Sequence, residues 1–255
     1  MPRPTRDQVI NPENPNHIVV RGNNRRRLFS YPRDYESFLW LFARANHDHD
    51  CSVHALCVMT NHAHDLTTPP SVAGMSECVK GFAQRYAQLR NTARGATGKL
   101  FEQRYYSKPI ADDAHMLAAM MYIEANPIRA GLVTDAADYP WSTHALHVGF
   151  RSAIPRTLWT PSRWYLALGH TDAERARTYR ELFADYIARG MPDEEDRFVE
   201  LSYLDKPYTR RLLRPNGTRA AEPASNGFVR FAPDAQRSQS DGGVERDPKR
   251  WPPKR

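Results

Sequence analysis

Segments typical of β-strands alternate with segments typical of helices between residues 17 and 125, in an order that few folds accommodate. Residues 17–21 are short and β-branched between an Asn-Pro and a Gly-Asn-Asn sequence, which predicts a strand. Residues 34–47 place apolar side chains at the i, i+3, i+4, i+7 spacing of a helix. Residues 51–60 are apolar and β-prone, and residues 62–68 follow them as the second strand of a predicted hairpin.

Three further segments complete the pattern. Residues 71–91 carry an apolar stripe and predict a second helix, and residues 100–110 predict an extended, aromatic and basic segment. A third helix is expected to begin at Asp112 or Asp113. We expect Pro127 to end it, because the residue before a proline avoids the helical region. This order of elements predicts an α+β, ferredoxin-like fold, with a small antiparallel sheet and helices on one face.

The 255 residues divide into three parts by composition. We expect one compact domain over residues 1–147 and a helical C-terminal extension over residues 148–190, with its helix at about 172–189. Residues 191–255, the third part, are rich in proline and glycine from about residue 215 onward, with little apolar periodicity there. They predict a largely disordered basic tail.

Composition narrows the classes of protein further. Three cysteines do not make a disulfide framework, so we expect a reducing compartment. No apolar run approaches the roughly 18 residues of a membrane span, and the first residues lack a secretory signal. The net charge of +7 at pH 7 rests largely on arginine. Arginine matches phosphate geometry, which favours an anionic partner. The alternative is a GC-rich genome, which encodes arginine in place of lysine.

The sequence His62-Ala63-His64 lies in the predicted strand 62–68. Residues i and i+2 of a strand point to one face about 6.6 Å apart, so both imidazoles can converge on one metal ion. Neutral imidazole is a common metal ligand, and a third oxygen ligand would leave the site open to phosphate. Two structural or surface histidines are the alternative.

Tyr122 lies on the predicted third helix, and Asn126 shares its helical face at position i+4. A phenol is a poor nucleophile at pH 7, but it can act where a metal polarises the electrophile. Packing in the core is the alternative role for such a tyrosine. Tyr86, Tyr105 and Tyr106 are equally visible in the sequence, and the residues alone do not choose among them.

Two stretches combine basic and aromatic side chains, at residues 21–27 and 104–108. Arginine contacts phosphates, and tyrosine can stack on unpaired bases. The two stretches are compatible with a nucleic-acid surface, although each stretch taken alone is more typical of an ordinary solvated face.

Five stretches taken in order resemble one family. They cover residues 17–25 (HIVVRGNNR), 55–64 (ALCVMTNHAH), 98–106 (GKLFEQRYY), 122–133 (YIEANPIRAGLV) and 139–143 (YPWST). The series is similar to the HUH single-tyrosine transposases, which are IS200-like, and most closely to their REP-associated tyrosine transposase branch. The resemblance covers about residues 2–147.

The resemblance implies a ferredoxin-like domain that cuts and rejoins single-stranded DNA beside hairpins. His62 and His64 match the paired metal ligands of the family, and Asn126 matches the position of a third. Tyr122 matches the nucleophile that forms a 5′-phosphotyrosine intermediate. The cofactor implied is a divalent metal, Mg²⁺ or Mn²⁺.

The implied partner is single-stranded or hairpin DNA. The resemblance implies no association with a membrane. By analogy the DNA would be held by Arg21, Arg25, Arg26, Arg27, Arg104, Tyr105 and Lys108. We expect a cytoplasmic bacterial protein that is a monomer, with a homodimer as the alternative.

Two positions depart from the family pattern. Thr60 replaces a usual proline, and Asp65 replaces a usual apolar residue after the second histidine. Such a carboxylate could join the metal site, pair with the basic surface or repel DNA. A metal-dependent hydrolase is a rival reading, but its motif needs an aspartate where Leu66 stands. A transposase-derived protein that binds hairpin DNA with little or no catalysis is the second rival.

Overall fold

The secondary structure follows the predicted order of elements. The computed structural model of the chain describes residues 5–12, 14–102 and 104–191. The strands are β1 (Asn16–Arg21), β2 (Ser52–Val58), β3 (His62–Thr68) and β4 (Tyr106–Pro109). The helices are α1 (Pro32–Asp48), α2 (Val72–Ala93), α3 (Asp113–Arg129), α4 (His144–His147), α5 (Arg163–Leu166) and α6 (Asp172–Ala188).

The four strands form one sheet in the order β2-β3-β1-β4, and all neighbours are antiparallel. The chain order βαββαβ with this strand order is the ferredoxin-like topology. The predicted α+β class and antiparallel sheet are therefore confirmed. The central strands β1 and β3 pair so that Val19 lies opposite His64 and Arg21 opposite His62.

Polar caps begin two of the long helices, as the sequence predicts. The Ser71 hydroxyl accepts a hydrogen bond from the Gly74 amide at 2.9 Å at the start of α2. The Asp112 carboxylate accepts one from the His115 amide at 2.9 Å at the start of α3. Each cap satisfies a backbone donor that has no partner inside its helix, which defines where the helix starts.

Helices α1 and α2 cover one face of the sheet. Ile18 and Leu56 point from the strands into an apolar core, where they meet Phe38 of α1 and Phe82 of α2. Phe38 and Phe82 lie edge to face with ring centroids 5.5 Å apart. This half of the molecule is the ferredoxin-like core that the sequence predicts.

The opposite face carries helices too, which corrects the expectation of helices on one face. Ala55, Cys57 and Leu66 point away from α1 and α2 and pack under α3, against residues such as Met120 and Ile123. The reason lies in β2, whose side chains are apolar on both faces of the strand. A strand of that kind must be covered on both sides to remove its apolar surface from water.

The sequence predicts that Pro127 ends α3, and this prediction is wrong because α3 continues to Arg129. Pro127 has no backbone N–H, so the carbonyl of Ile123 four residues earlier loses its usual donor. The side-chain amide of Asn126 supplies a donor instead. Its Nδ2 donates to the Ile123 carbonyl at 3.3 Å and to the Tyr122 carbonyl at 2.9 Å. Asn126 thus allows α3 to continue beyond Pro127.

A buried carboxylate ties α3 to the segments that follow it. Glu124 is fully buried and accepts hydrogen bonds from Thr143 Oγ1 at 2.7 Å and Tyr179 Oη at 2.9 Å. It also accepts from Nδ1 of His144 at 2.9 Å and Nδ1 of His147 at 2.7 Å. Burial alone raises the pKa of Glu124, but the fields and hydrogen bonds of His147 and His144 outweigh it and hold the pKa well below the usual range.

The helix expected at about 172–189 is α6, and it packs in the same apolar core as α3. The division of the chain at residues 147 and 190 stays a prediction. The predicted tail over residues 191–255 lies, apart from Met191, outside the described residues. Within the described ranges, no helix has the length and apolar character needed to cross a membrane.

The Glu124 network predicts a large effect on stability. Glu124→Ala leaves four buried donors without their acceptor, so we expect the free energy of unfolding to fall by about 3–5 kcal/mol. Urea unfolding followed by circular dichroism measures the change. Glu77→Ala is the matched control, because Glu77 is exposed on α2 and pairs only with Lys80 at 3.1 Å. It should change the stability by no more than about 0.5 kcal/mol. Equal effects of the two variants would contradict a structural role for the network.

Candidate active site

A cleft of about 1110 Å³ opens on the face of the sheet that α3 partly covers. The predicted residues His62, His64, Tyr122 and Asn126 all line it. The cleft is also strongly basic, with four arginines in its lining: Arg6, Arg21, Arg25 and Arg104. The structure therefore brings the predicted metal ligands, the predicted nucleophile and a positive surface together.

His62 and His64 point to the same face of β3, as the strand period predicts, and their ring centroids are 4.8 Å apart. Burial, followed by the positive charge of Arg21, lowers the pKa of His62 to about 4. Burial and the neighbouring histidines place the pKa of His64 well below its usual value. Both rings are therefore neutral at pH 7, which is the form that binds a metal.

Each of the two rings uses its Nδ1 atom in a hydrogen bond. His62 Nδ1 lies 2.7 Å from Asn61 Oδ1. An amide oxygen can only accept, so His62 Nδ1 donates. His64 Nδ1 lies 2.8 Å from Nε2 of a third histidine, His17, on β1. Since Nδ1 is occupied on both rings, Nε2 is the nitrogen that each ring has left for a ligand.

Tyr122 projects from α3 towards the histidines. Its ring centroid is 5.8 Å from that of His64 and 6.0 Å from that of His17, with both pairs edge to face. The guanidinium of Arg129, two turns further along α3, lies 5.0 Å from the Tyr122 ring centroid. That guanidinium also donates to Tyr186 Oη of α6 at 2.9 Å. The tyrosine is therefore held between the histidines and a fixed positive charge.

A metal held by His62 and His64 would need an oxygen donor as its third protein ligand. Across residues 5–191 as far as they are described, no three His, Cys, Asp or Glu side chains are grouped to hold a metal ion. Asn126 lines the cleft, and its Nδ2 is committed to the helix backbone, so Oδ1 is the atom of that side chain that could act as a ligand. Two neutral imidazoles and one amide oxygen fit a divalent metal that keeps open positions for other oxygens.

The predicted DNA-binding residues separate into two groups. Arg21, Arg25, Arg104 and Tyr105 line the cleft, whereas Lys108 lies beside it, paired across the strands with His17. Arg26 and Arg27 are exposed on the turn after β1, and both lie outside the cleft lining.

Tyr105 is less open to a base than the sequence predicts. The guanidinium of Arg6 covers its ring at 3.4 Å, and its hydroxyl lies 3.5 Å from Ser76 Oγ. The neighbouring Tyr106 is 49% exposed in the cleft, with its ring edge to face with His17. Tyr106 is therefore the ring on this surface that a base can reach.

The site residues predicted from the sequence omit three residues at the cleft: Glu102 and Tyr106, which line it, and His17, which contacts His64. Glu102 accepts two hydrogen bonds from the Arg21 guanidinium, at 2.8 and 3.2 Å. The two-residue period of a strand could have identified Tyr106, because it places Tyr106 on the same face as the predicted DNA-binding residue Lys108. His17 and Glu102 could not, because both contacts depend on pairings between segments 47 or more residues apart.

The two departures from the family pattern lie away from the cleft lining. Asp65 follows His64 directly, so it points to the opposite face of β3, where it is 5% exposed and accepts from the Thr67 hydroxyl. It therefore neither joins the histidines nor pairs with the basic surface. Thr60 lies in the β2–β3 turn, where its carbonyl accepts from the amides of Leu28 and Phe29 at 2.9 and 3.1 Å.

Comparison with known proteins identifies the class of this domain. The family model described as "Transposase IS200 like" matches residues 14–126, which hold the whole sheet, both cleft histidines of β3 and Tyr122. The match covers a little under half of the chain, and this part of the chain is similar to the IS200-like transposases. The resemblance seen in the sequence motifs is confirmed at this level.

A solved structure of a REP-associated tyrosine transposase bound to a REP hairpin is also similar to this chain. The sequence identity is 20% and the TM-score 0.46, and the alignment covers 64% of this chain and 92% of that chain. None of the curated proteins compared with the chain matches it.

The buried Asp65 predicts an unusual pH dependence of stability. Burial raises its pKa from 3.8 to about 7, although the Thr67 hydrogen bond acts in the opposite direction. The folded state thus holds this proton more tightly than the unfolded state, so the stability it contributes is complete below about pH 4 and is lost as the pH rises to about 7. Asp65→Asn should remove this loss and stabilise the protein at pH 8 by up to about 4 kcal/mol.

Urea unfolding between pH 4.5 and 8.5 measures this difference. Asp48→Asn is the control, because Asp48 is exposed at the end of α1 beside Arg44. That variant should follow the wild-type profile. Parallel profiles for Asp65→Asn and wild type would show that the buried carboxyl does not titrate in this range.

Proposed function

We propose that this chain cuts and rejoins single-stranded DNA at hairpin sequences, with Tyr122 as the nucleophile. The observation that carries the proposal is the position of Tyr122 against His64, 5.8 Å between ring centroids, inside a cleft lined by arginines. The family assignment of residues 14–126 supports a role in DNA transposition. Neither a hydrolase nor a simple binding surface requires a tyrosine at this point.

In the proposed reaction the Tyr122 hydroxyl oxygen attacks the phosphorus of the scissile phosphate. An oxygen–phosphorus bond forms to the tyrosine while the bond from phosphorus to the 3′ oxygen breaks. The phenol gives up its proton and the departing 3′ oxygen takes one up, which leaves a 3′ hydroxyl and a 5′-phosphotyrosine. A 3′ hydroxyl can later attack the same phosphorus and release Tyr122, so the strand is rejoined without a nucleotide energy source.

His62 and His64, through Nε2, and Asn126, through Oδ1, are the residues that would hold a divalent metal, Mg²⁺ or Mn²⁺. Such an ion supplies positive charge to the phosphate oxygens as negative charge builds up on them. Asn61 holds the His62 ring in the orientation that this role needs. Arg129 keeps the Tyr122 ring in place and adds a second positive charge on its far side.

The cleft arginines are proposed to hold the DNA backbone. Arg21 lies opposite His62 across the strand pair, so a phosphate near the histidines is within the field of its guanidinium. Arg25 and Arg104 extend the positive surface outward, and the exposed Tyr106 ring offers a stacking surface for an unpaired base. Arg26, Arg27 and Lys108 stay predicted contacts for DNA beyond the cleft.

Formation of a covalent protein–DNA adduct tests the nucleophile. Purified protein is incubated with Mn²⁺ or Mg²⁺ and a single-stranded hairpin taken from beside its own gene, and adducts are resolved on a denaturing gel. Tyr122→Phe should form no adduct while it binds the hairpin with wild-type affinity. His64→Ala should lower the rate at least about 100-fold, equivalent to roughly 3 kcal/mol. EDTA should abolish the adduct.

Tyr106→Phe is the matched control, because it removes a hydroxyl from the same cleft and should still form the adduct. Binding without any adduct in the wild type would favour the rival reading of an inactive hairpin-binding protein. Cleavage without a covalent intermediate would favour a hydrolase. An adduct that survives in Tyr122→Phe would assign the nucleophile to another tyrosine.

The salt dependence of DNA binding tests the basic cleft. Removing one phosphate contact from a single strand reduces the slope of log K against log salt concentration by about 0.7. Arg25→Ala and Arg104→Ala should each show this loss and weaken binding to all sequences alike. Fluorescence anisotropy with labelled single strands at several salt concentrations measures it. Arg44→Ala, which removes an exposed arginine on α1, should leave the slope unchanged.

A further inference from the structure

His17 is a buried histidine that contacts the cleft residue His64 without lining the cleft itself. It lies on β1 and is 2% exposed, while its partner His64 on β3 is 6% exposed. The two rings lie edge to edge, with centroids 5.1 Å apart and an interplanar angle of 30°. The strand register places Val19, and not His17, directly opposite His64, so the two rings meet diagonally across the sheet.

A single proton lies between the two rings, and its position decides what His64 can do. His17 Nε2 and His64 Nδ1 are 2.8 Å apart, so one of them donates and the other accepts. If Nδ1 of His64 carries the proton, its Nε2 has a free lone pair and can bind a metal. In the other tautomer His64 Nε2 carries the proton and cannot be a ligand.

The neighbouring His62 has a hydrogen-bond partner that fixes its tautomer. His62 Nδ1 must donate to Asn61 Oδ1 at 2.7 Å, because an amide oxygen has no proton to give. His62 is therefore held in the tautomer with a free Nε2. His17 occupies the equivalent position for His64, although it comes from another strand.

We propose that His17 is a positioning residue that accepts the proton of His64 Nδ1 and so holds His64 in its metal-binding tautomer. This inference rests on the proposed function, since it gives His64 a metal to bind. His17 acts through His64 and is not itself a ligand, because its Nε2 is directed at the His64 ring. The hydrogen bond also fixes the orientation of the His64 ring, since rotation about its side chain would break that bond.

Binding of Mn²⁺ to the full-length protein, measured by titration calorimetry or electron paramagnetic resonance, tests the role without any DNA. His17→Leu removes the acceptor, and we expect Mn²⁺ to bind about 10- to 100-fold more weakly. His17→Gln offers an amide oxygen near the position of Nε2, so it should recover most of the affinity. His64→Ala sets the level at which a true ligand is lost.

His54→Leu is the matched control for loss of a buried histidine. His54 is 8% exposed on the neighbouring strand β2, with hydrogen bonds to the Thr160 carbonyl and the Thr68 hydroxyl at 2.9 Å each. Its removal should leave Mn²⁺ affinity unchanged. Circular dichroism and thermal unfolding identify any variant that has lost its fold.

The tautomer of His64 is a second readout that needs no metal. Nitrogen-15 spectra of the histidine rings in metal-free protein should place the proton of His64 on Nδ1 in the wild type and in His17→Gln. In His17→Leu a part of the population should move to the Nε2–H form. This measurement also decides the role of His17 if the wild type binds no Mn²⁺, an outcome that would refute the metal site itself.

Two results would overturn the inference. One is a folded His17→Leu variant with wild-type Mn²⁺ affinity and an unchanged His64 tautomer, which would make the His17 contact simple packing. The other is a His17→Gln variant as defective as His64→Ala, which would place His17 among the metal ligands.

Discussion

The buried carboxylate of Glu124 is the interaction on which the rest of the site depends. It accepts four hydrogen bonds from segments that follow α3, and all four donors belong to buried residues. Glu124 is two residues from Tyr122, which is about 200° around the helix. The network therefore holds one side of α3 against the later helices, and the opposite side, with Tyr122 and Asn126, faces the sheet.

Side chains along β3 alternate between the two faces of the sheet, so the candidate site residues lie on one face and the core residues on the other. His62 and His64 face the cleft, whereas Ala63 and Asp65 face the apolar core under α1 and α2. The relative position of the two candidate metal ligands is thus set by a strand whose other face is packed in the core. A shift of register by one residue would place both imidazoles in the core, so the pairing with β1 and β2 protects the site.

Features that depend on residues close together in the sequence could be predicted. Features that depend on contacts between distant segments could not. The strand period placed the two histidines of β3 on one face, because that period is local. The helix end at Pro127 could not be predicted from the proline alone, since the Asn126 side chain supplies the donor that proline lacks. The contact of His17 with His64 depends on a register between segments 47 residues apart, which no local pattern encodes. The roles of Tyr122 and Asn126 came from the family resemblance, and local chemistry alone did not single them out.

The ion pair between Arg21 and Glu102 orders one arginine of the positively charged cleft without any ligand. The guanidinium lies opposite His62 and would otherwise move freely, but the carboxylate holds it through two hydrogen bonds. Both side chains are well exposed, at 45% and 33%, so the pair contributes little to stability. A phosphate offers the same bidentate geometry with more charge, so under the proposed function the substrate can replace Glu102 as the partner of Arg21. The acidic residue therefore orients the arginine without closing the site.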